Sequence, residues 1–118
     1  MKKLIFCTLI LSLCIAGCAA TLSKDMQLAN QGFASLSKGN YAEAEQYLGQ
    51  ALAENPNNPY ALLNMGVVYQ NTERKPQARE MYQKLIKLNP PEVASRSNEK
   101  GGAGKTLVDI AKDNLEKL

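Results

Sequence analysis

The sequence predicts an all-α fold: two helical hairpins in series, closed by one further helix. Three observations carry this. The chain repeats itself at an interval of 34 residues, pairing Leu28 with Leu62, Asn30 with Asn64, Gly32 with Gly66, Ala44 with Ala78, Asn55 with Asn89 and Pro56 with Pro90. Self-similarity at such a period marks a stack of small supersecondary units. Apolar residues recur at helical spacing within each copy. Proline, asparagine and glycine fall where helices must start or stop.

The first element lies outside this domain. Met1-Lys2-Lys3 is followed by an apolar run from Leu4 to Ala16 that only Thr8 and Ser12 interrupt. A bilayer span needs about 20 apolar residues; a charged start, a shorter apolar core and small residues at its end describe an export signal. Ile15-Ala16-Gly17-Cys18 resembles the lipobox of bacterial lipoproteins. The resemblance implies cleavage after residue 17, a diacylglycerol on the Cys18 thiol and a further fatty acyl chain, such as palmitate, on the new amino terminus. Isoleucine three places before the cysteine departs mildly from the commoner leucine. Two or three acyl chains anchor a protein durably where one does not.

Loss of the signal changes what composition implies. Without Lys2 and Lys3 the fourteen basic residues fall to twelve against eleven acidic ones, and the net charge drops from +3 to +1. No basic block remains to suggest nucleic acid. Cys7 and Cys14 leave with the signal and Cys18 is lipidated, so stability must come from packing without a disulfide.

Residues 18–24 form the lipidated start and a linker, and helices are expected near 24–37, 41–54, 59–72 and 76–88. Gly32 and Gly66 let a facing helix approach closely, offsetting glycine's helix cost of about 1 kcal/mol; Ala44 and Ala78 are small for the same reason, with Leu48 and Tyr82 filling the space. Asn40 and Glu43 have the spacing of a capping box. Asn58 before Pro59 is a cap followed by proline at the first helical position. Pro56 and Pro90 stop helices by removing a donor and clashing backward.

The stretch Pro59–Pro90, PYALLNMGVVYQNTERKPQAREMYQKLIKLNP, resembles the tetratricopeptide repeat. Gly66 and Tyr69, Ala78 and Tyr82, and the closing Pro90 keep that family's spacings, and Leu62 stands where tryptophan is common. The copy at 25–58 keeps Gly32, Ala44, Leu48, Ala51 and Pro56, but departs at Gln31 and Ser35. The resemblance implies two helix-turn-helix units, 25–58 and 59–90, in a short right-handed solenoid. It also implies that the first helix of each unit lines a concave face holding a peptide or partner helix. The matching positions are Met26, Ala29, Phe33 and Leu36, then Tyr60, Leu63, Val67, Gln70 and Asn71. Members that grip a terminal carboxylate carry lysine and asparagine where Ala29, Phe33, Leu63 and Val67 stand here, so that clamp is not implied. The groove is apolar with a polar edge, suited to an amphipathic segment.

After a linker at 91–105, residues 106–118 form the closing helix, with Thr106 and Asp109 as a cap pair. Leu107, Ile110, Ala111, Leu115 and Leu118 fall on one face; Lys105, Lys112, Asp113, Glu116 and Lys117 lie off it. A terminal element has to cover a repeat stack's end, though the linker is long enough for loose docking. The segment GGAGKT at 101–106 only mimics a phosphate loop. The first glycine of that motif would stand at Glu99, and no apolar strand precedes it. Nucleotide binding is therefore a remote alternative to a flexible turn.

No catalytic constellation is present. The chain has no histidine, the commonest general base and metal ligand, and no zinc or calcium spacing. Asp109 with Asp113, and Glu80 with Lys84, are neighbours on solvated helix faces. The expectation is a non-enzymatic envelope adaptor without cofactor beyond the lipid on Cys18. It would face the periplasm, at the outer membrane because Ala19 rather than aspartate follows Cys18. The resemblance to bacterial lipoproteins with such repeats implies that its partner is an envelope protein or amphipathic peptide, in pilus, secretion or outer-membrane assembly. Two alternatives stay open: a groove filled by the closing helix, and a structural lipoprotein that self-associates, as a homodimer for example, to cover its thin core.

Overall fold

A computed structural model describes residues 20–94 and 104–118. The expected export signal, Cys18, Ala19 and Gly101–Ala103 of the glycine segment lie outside the described residues. Within them are five helices: α1 (Lys24–Ser37), α2 (Tyr41–Glu54), α3 (Pro59–Asn71), α4 (Lys75–Leu88) and α5 (Leu107–Glu116). Consecutive helices run antiparallel, so α1, α3 and α5 begin at the end of the stack where α2 and α4 finish. None is long and apolar enough to cross a membrane.

The expected signals set most of the boundaries. Asn58 Oδ1 accepts the Ala61 N–H at 2.9 Å while Pro59 occupies the first turn of α3. Thr106 Oγ1 accepts the Asp109 N–H at 3.1 Å and starts α5. α4 ends in the left-handed Asn89, whose N–H donates to the Leu85 carbonyl at 3.1 Å, and Pro90 follows. The turns inside the two hairpins match as well: Gly39 has φ +77° and Glu73, 34 residues on, has φ +61°. Glycine fits that left-handed position without penalty; glutamate does not.

The capping box at α2 is not formed. Asn40 makes no side-chain cap bond. Its own N–H, which Glu43 would have to reach, already donates to the Ser35 carbonyl at 2.9 Å. Glu43 instead accepts the Ser35 hydroxyl at 2.9 Å. Ser35 is buried where the family expects an aromatic ring, so its hydroxyl needs an acceptor, and Glu43 supplies it.

The glycines act as expected. A Cβ on Gly32 would stand 2.5 Å from Leu48 Cγ, and one on Gly66 would stand 2.7 and 2.9 Å from Cδ1 and Cζ of Tyr82. Ala44 and Ala78 are fully buried beside these contacts. Helix α3 runs through the middle of the stack, and every residue from Ala61 to Val68 is buried. That is why its apolar residues surround the helix instead of forming one stripe.

The closing helix docks firmly. Leu107, Ile110 and Ala111 join the core with Leu62, Tyr82 and Leu85, and Asp109, Lys112, Glu116 and Lys117 face water. The chain entering α5 is tied to the chain leaving α4. Ala94 N–H donates to Lys105 O at 2.9 Å, Gly104 N–H to Ala94 O at 2.9 Å and Leu107 N–H to Glu92 O at 3.0 Å. This makes a single antiparallel bridge between Val93 and Thr106.

Two matched substitutions test the packing. Gly49 lies in the same helical context as Gly66, but its added Cβ would meet only Met65 Cε at 4.0 Å. Gly49→Ala is expected to stabilise by about 1 kcal/mol through helix propensity. Gly66→Ala should instead destabilise, because displacing the Tyr82 ring costs about 1–3 kcal/mol by overpacking. Urea unfolding midpoints that move in opposite directions are the expected outcome.

Candidate protein-binding surface

Helices α1 and α3 lie side by side and present their matching positions on one face of the stack. The nine groove positions do not contribute equally. Ala29, Leu36, Leu63 and Val67 are buried, at 1%, 5%, 7% and 9% exposure, and act as the floor of the surface within the core. Met26, Phe33, Tyr60 and Gln70 are half-buried and Asn71 is exposed. The accessible lining is thus one methionine and two aromatic rings, with a polar edge at 70–71.

Gln70 is not a free edge residue. Its Oε1 accepts the Tyr82 hydroxyl at 2.8 Å, and the same oxygen of Tyr82 accepts from Asn114 Nδ2 at 3.5 Å. Asn114 is completely buried on α5. A polar chain therefore runs through α3, α4 and α5 beneath the surface, fixing the Gln70 amide and leaving Asn71 as the open polar contact.

Helix α5 also extends the surface. Leu107-x2-Ile110-Ala111-x2-Asn114 has the spacing of Leu62-x2-Met65-Gly66-x2-Tyr69 and of Leu28-x2-Gln31-Gly32-x2-Ser35. Its Leu107, Ile110 and Ala111 are buried like Leu62, Met65 and Gly66. In this register Val108, Lys112 and Leu115 stand at the positions of Leu63, Val67 and Gln70. Sequence comparison at an interval of 34 misses this third rung, because α5 follows α3 at 45 residues. The bridge at Val93 and Thr106 closes off the extra length and restores the register.

Two polar links hold the repeats at opposite ends of their interface. At one end Asp25 accepts from Asn58 Nδ2 at 2.7 Å and Asn55 Nδ2 at 3.0 Å. Asn58 is fully buried, and its amide also lies 3.5 Å from Met26 Sδ. At the other end the Arg74 guanidinium forms a forked pair with Glu45, at 2.9 and 2.6 Å. It also donates to Thr72 Oγ1 at 3.0 Å and lies 4.6 Å from the centre of the Tyr69 ring. The hydrogen bonds from Arg74 hold the Glu45 carboxyl below its ordinary range.

The described part of the glycine segment serves to start α5. Gly104 takes φ +86°, the Lys105 ammonium pairs with Asp113 at 2.7 Å, and the Thr106 hydroxyl donates to Asp109 at 2.7 Å. The lysine and hydroxyl that a phosphate loop would turn to its ligand are thus committed to helix α5.

A stack of helical hairpins with a continuous face along its first helices is a protein-interaction scaffold. The tetratricopeptide repeat family model matches residues 35–95, just over half of the chain, and this chain belongs to that family. No curated protein and no solved structure matches it.

The Asp25 link predicts a specific acid response. Hydrogen bonds from Ser23, then Asn58 and Asn55, lower its pKa from 3.8 to about 2. A depressed carboxyl stabilises the fold above its unfolded pKa and loses that contribution as pH falls through the folded value. Its share should therefore disappear between about pH 4 and pH 2. Asp25→Asn is expected to melt lower than the parent at pH 6, with the difference closing across that window; a constant difference would remove Asp25 as its source.

Proposed function

We propose that this chain is a lipid-anchored adaptor of the bacterial cell envelope. It is cleaved before Cys18, acylated there and held at the outer membrane facing the periplasm. Its repeat surface docks an amphipathic segment of an envelope protein, in the assembly of a pilus, a secretion complex or an outer-membrane complex. The observation that carries the docking reading is the half-buried Met26, Phe33 and Tyr60 on α1 and α3, with exposed Asn71 at the far end of α3, which offers apolar anchors and a polar edge to one face of a partner helix. The anchor reading is supported by the charged, apolar and small-residue order of residues 1–17 and by Ile15-Ala16-Gly17-Cys18. Outer-membrane placement is supported by Ala19 in place of aspartate. The polar outer face of α5 disfavours end-to-end stacking of copies, so a separate partner is the better reading than self-association.

Two experiments test this. A photocrosslinking aromatic residue replaces Tyr60 or Phe33 in the native host, with a control at exposed Glu80 on α4. A single envelope-protein adduct from the two surface positions, absent from the control and reproduced with purified partners, is expected. Matching patterns at all three sites would remove the surface as a docking face. Separately, Cys18→Ala should move the protein from the membrane fraction to the soluble or unprocessed pool; unchanged fractionation would sink the anchor.

A further inference from the structure

Three large apolar side chains remain exposed among the described residues: Leu22 at 51%, Leu88 at 41% and Val93 at 50%. Singly exposed apolar residues are ordinary on a protein surface. Their placement here is not scattered. Leu22 precedes α1, Leu88 ends α4, and Val93 pairs with Thr106 at the start of α5. The antiparallel order brings all of these to one end of the stack. Lys24 at the start of α1 pairs with Glu54 at the end of α2, Asp25 reaches Asn58 at the start of α3, and Leu107 N–H meets Glu92 O below α4. The other end carries Lys38, Asn40, Glu73, Lys75 and Lys117, all exposed and polar or charged.

The tether attaches at the apolar end. Cys18 lies six residues before Lys24, and six residues span at most about 21 Å when extended. A helix of 14 residues is itself about 21 Å long. An acylated Cys18 therefore holds the apolar end close to the lipid, and the tether is no longer than the stack is tall. The exposed polar side chains nearest the apolar three include the uncharged Asn55, Asn57 and Asn89, and the Lys24 and Glu54 charges are paired. Headgroups can solvate these groups, and Lys87, exposed beside Leu88, has a stem long enough to keep its ammonium among the headgroup phosphates.

We propose that the end of the stack at which α1, α3 and α5 begin rests on the bilayer surface, with Leu22, Leu88 and Val93 seated in the lipid interface. The inference rests on the acylation of Cys18 put forward above. The repeat surface would then stand with its helix axes steeply inclined to the membrane, presenting Phe33, Tyr60 and Asn71 sideways to the periplasm and leaving the Gly39 and Glu73 turns farthest from lipid.

Spin-label depth measurement on the full chain tests this. Cys7 and Cys14 leave with the signal and Cys18 is blocked by its thioether, so one introduced cysteine carries the nitroxide alone. Leu88→Cys and Val93→Cys are compared with Lys38→Cys and Glu73→Cys, each expressed as the precursor in a lipoprotein-processing bacterium. The purified proteins are reconstituted in phosphatidylethanolamine–phosphatidylglycerol vesicles, and circular dichroism confirms that each retains its helices. The expected result is a ratio of oxygen to aqueous nickel-complex accessibility several-fold higher at 88 and 93 than at 38 and 73. Mass spectrometry of the amino-terminal peptide separates the two readings. Equal ratios on an acylated protein overturn the membrane orientation alone, whereas an unmodified Cys18 overturns the anchor and the orientation together. If the label perturbs one lower position, Leu22→Cys at the same end gives the same comparison.

Discussion

The seating of Leu48 over Gly32 and of Tyr82 over Gly66 sets the spacing on which the rest of the fold depends. Each large side chain enters the gap left by a missing Cβ, so the helices of each hairpin pack closer than ordinary side chains would permit. Protein interiors are near crystal density, and a change of one methylene is felt. Leu48 and Tyr82 are completely buried at these crossings. With Tyr82 held over Gly66, its hydroxyl meets Gln70 on α3 and Asn114 on α5. One apolar contact inside a hairpin thus determines where the polar chain to the closing helix runs.

The interface between the two repeats follows the same logic. Its apolar centre is flanked by the Asp25–Asn58 link at one end and the Glu45–Arg74 fork at the other. The first is partly buried and doubles as the cap of α3, so removing it leaves a buried amide without its partner, which is the costly direction of hydrogen-bond loss. The second is about one-third exposed on both side chains, where water and salt screen ion pairs; it orients the hairpin turn more than it stabilises it. A scaffold that presents a surface needs a fixed angle between units, and two separated links resist twisting better than one.

The closing helix joins structure to surface. Its inner face supplies Leu107, Ile110 and Ala111 to the core, while its outer face ends the stack in water. Because it keeps the register of a first helix, it lengthens the surface formed by α1 and α3 without adding a second helix. The face formed by α1 and α3 runs the height of the stack, from Met26 and Tyr60 in the first turns of these helices to Asn71 at the end of α3.

Much of this was determined by the sequence itself. The interval of 34 residues and the Gly32, Gly66, Ala44 and Ala78 pattern specify two hairpins, because close helix crossings tolerate only small residues at fixed spacing. Asn58, Thr106, Pro56 and Pro90 set helix ends through local backbone chemistry, which neighbouring residues alone can reveal. The local signals failed where a distant or competing group intervened: Asn40 and Glu43 have capping-box spacing, but the Ser35 carbonyl and hydroxyl take up both groups. Nothing in the spacing of Arg74 and Glu45, or of Asn114 and Tyr82, announces their pairing, since these contacts cross between elements far apart in the chain. The division of the nine groove positions into floor and accessible lining was likewise decided by tertiary structure. Burial depends on which helices cover a residue, and helical periodicity records only the direction in which that residue points.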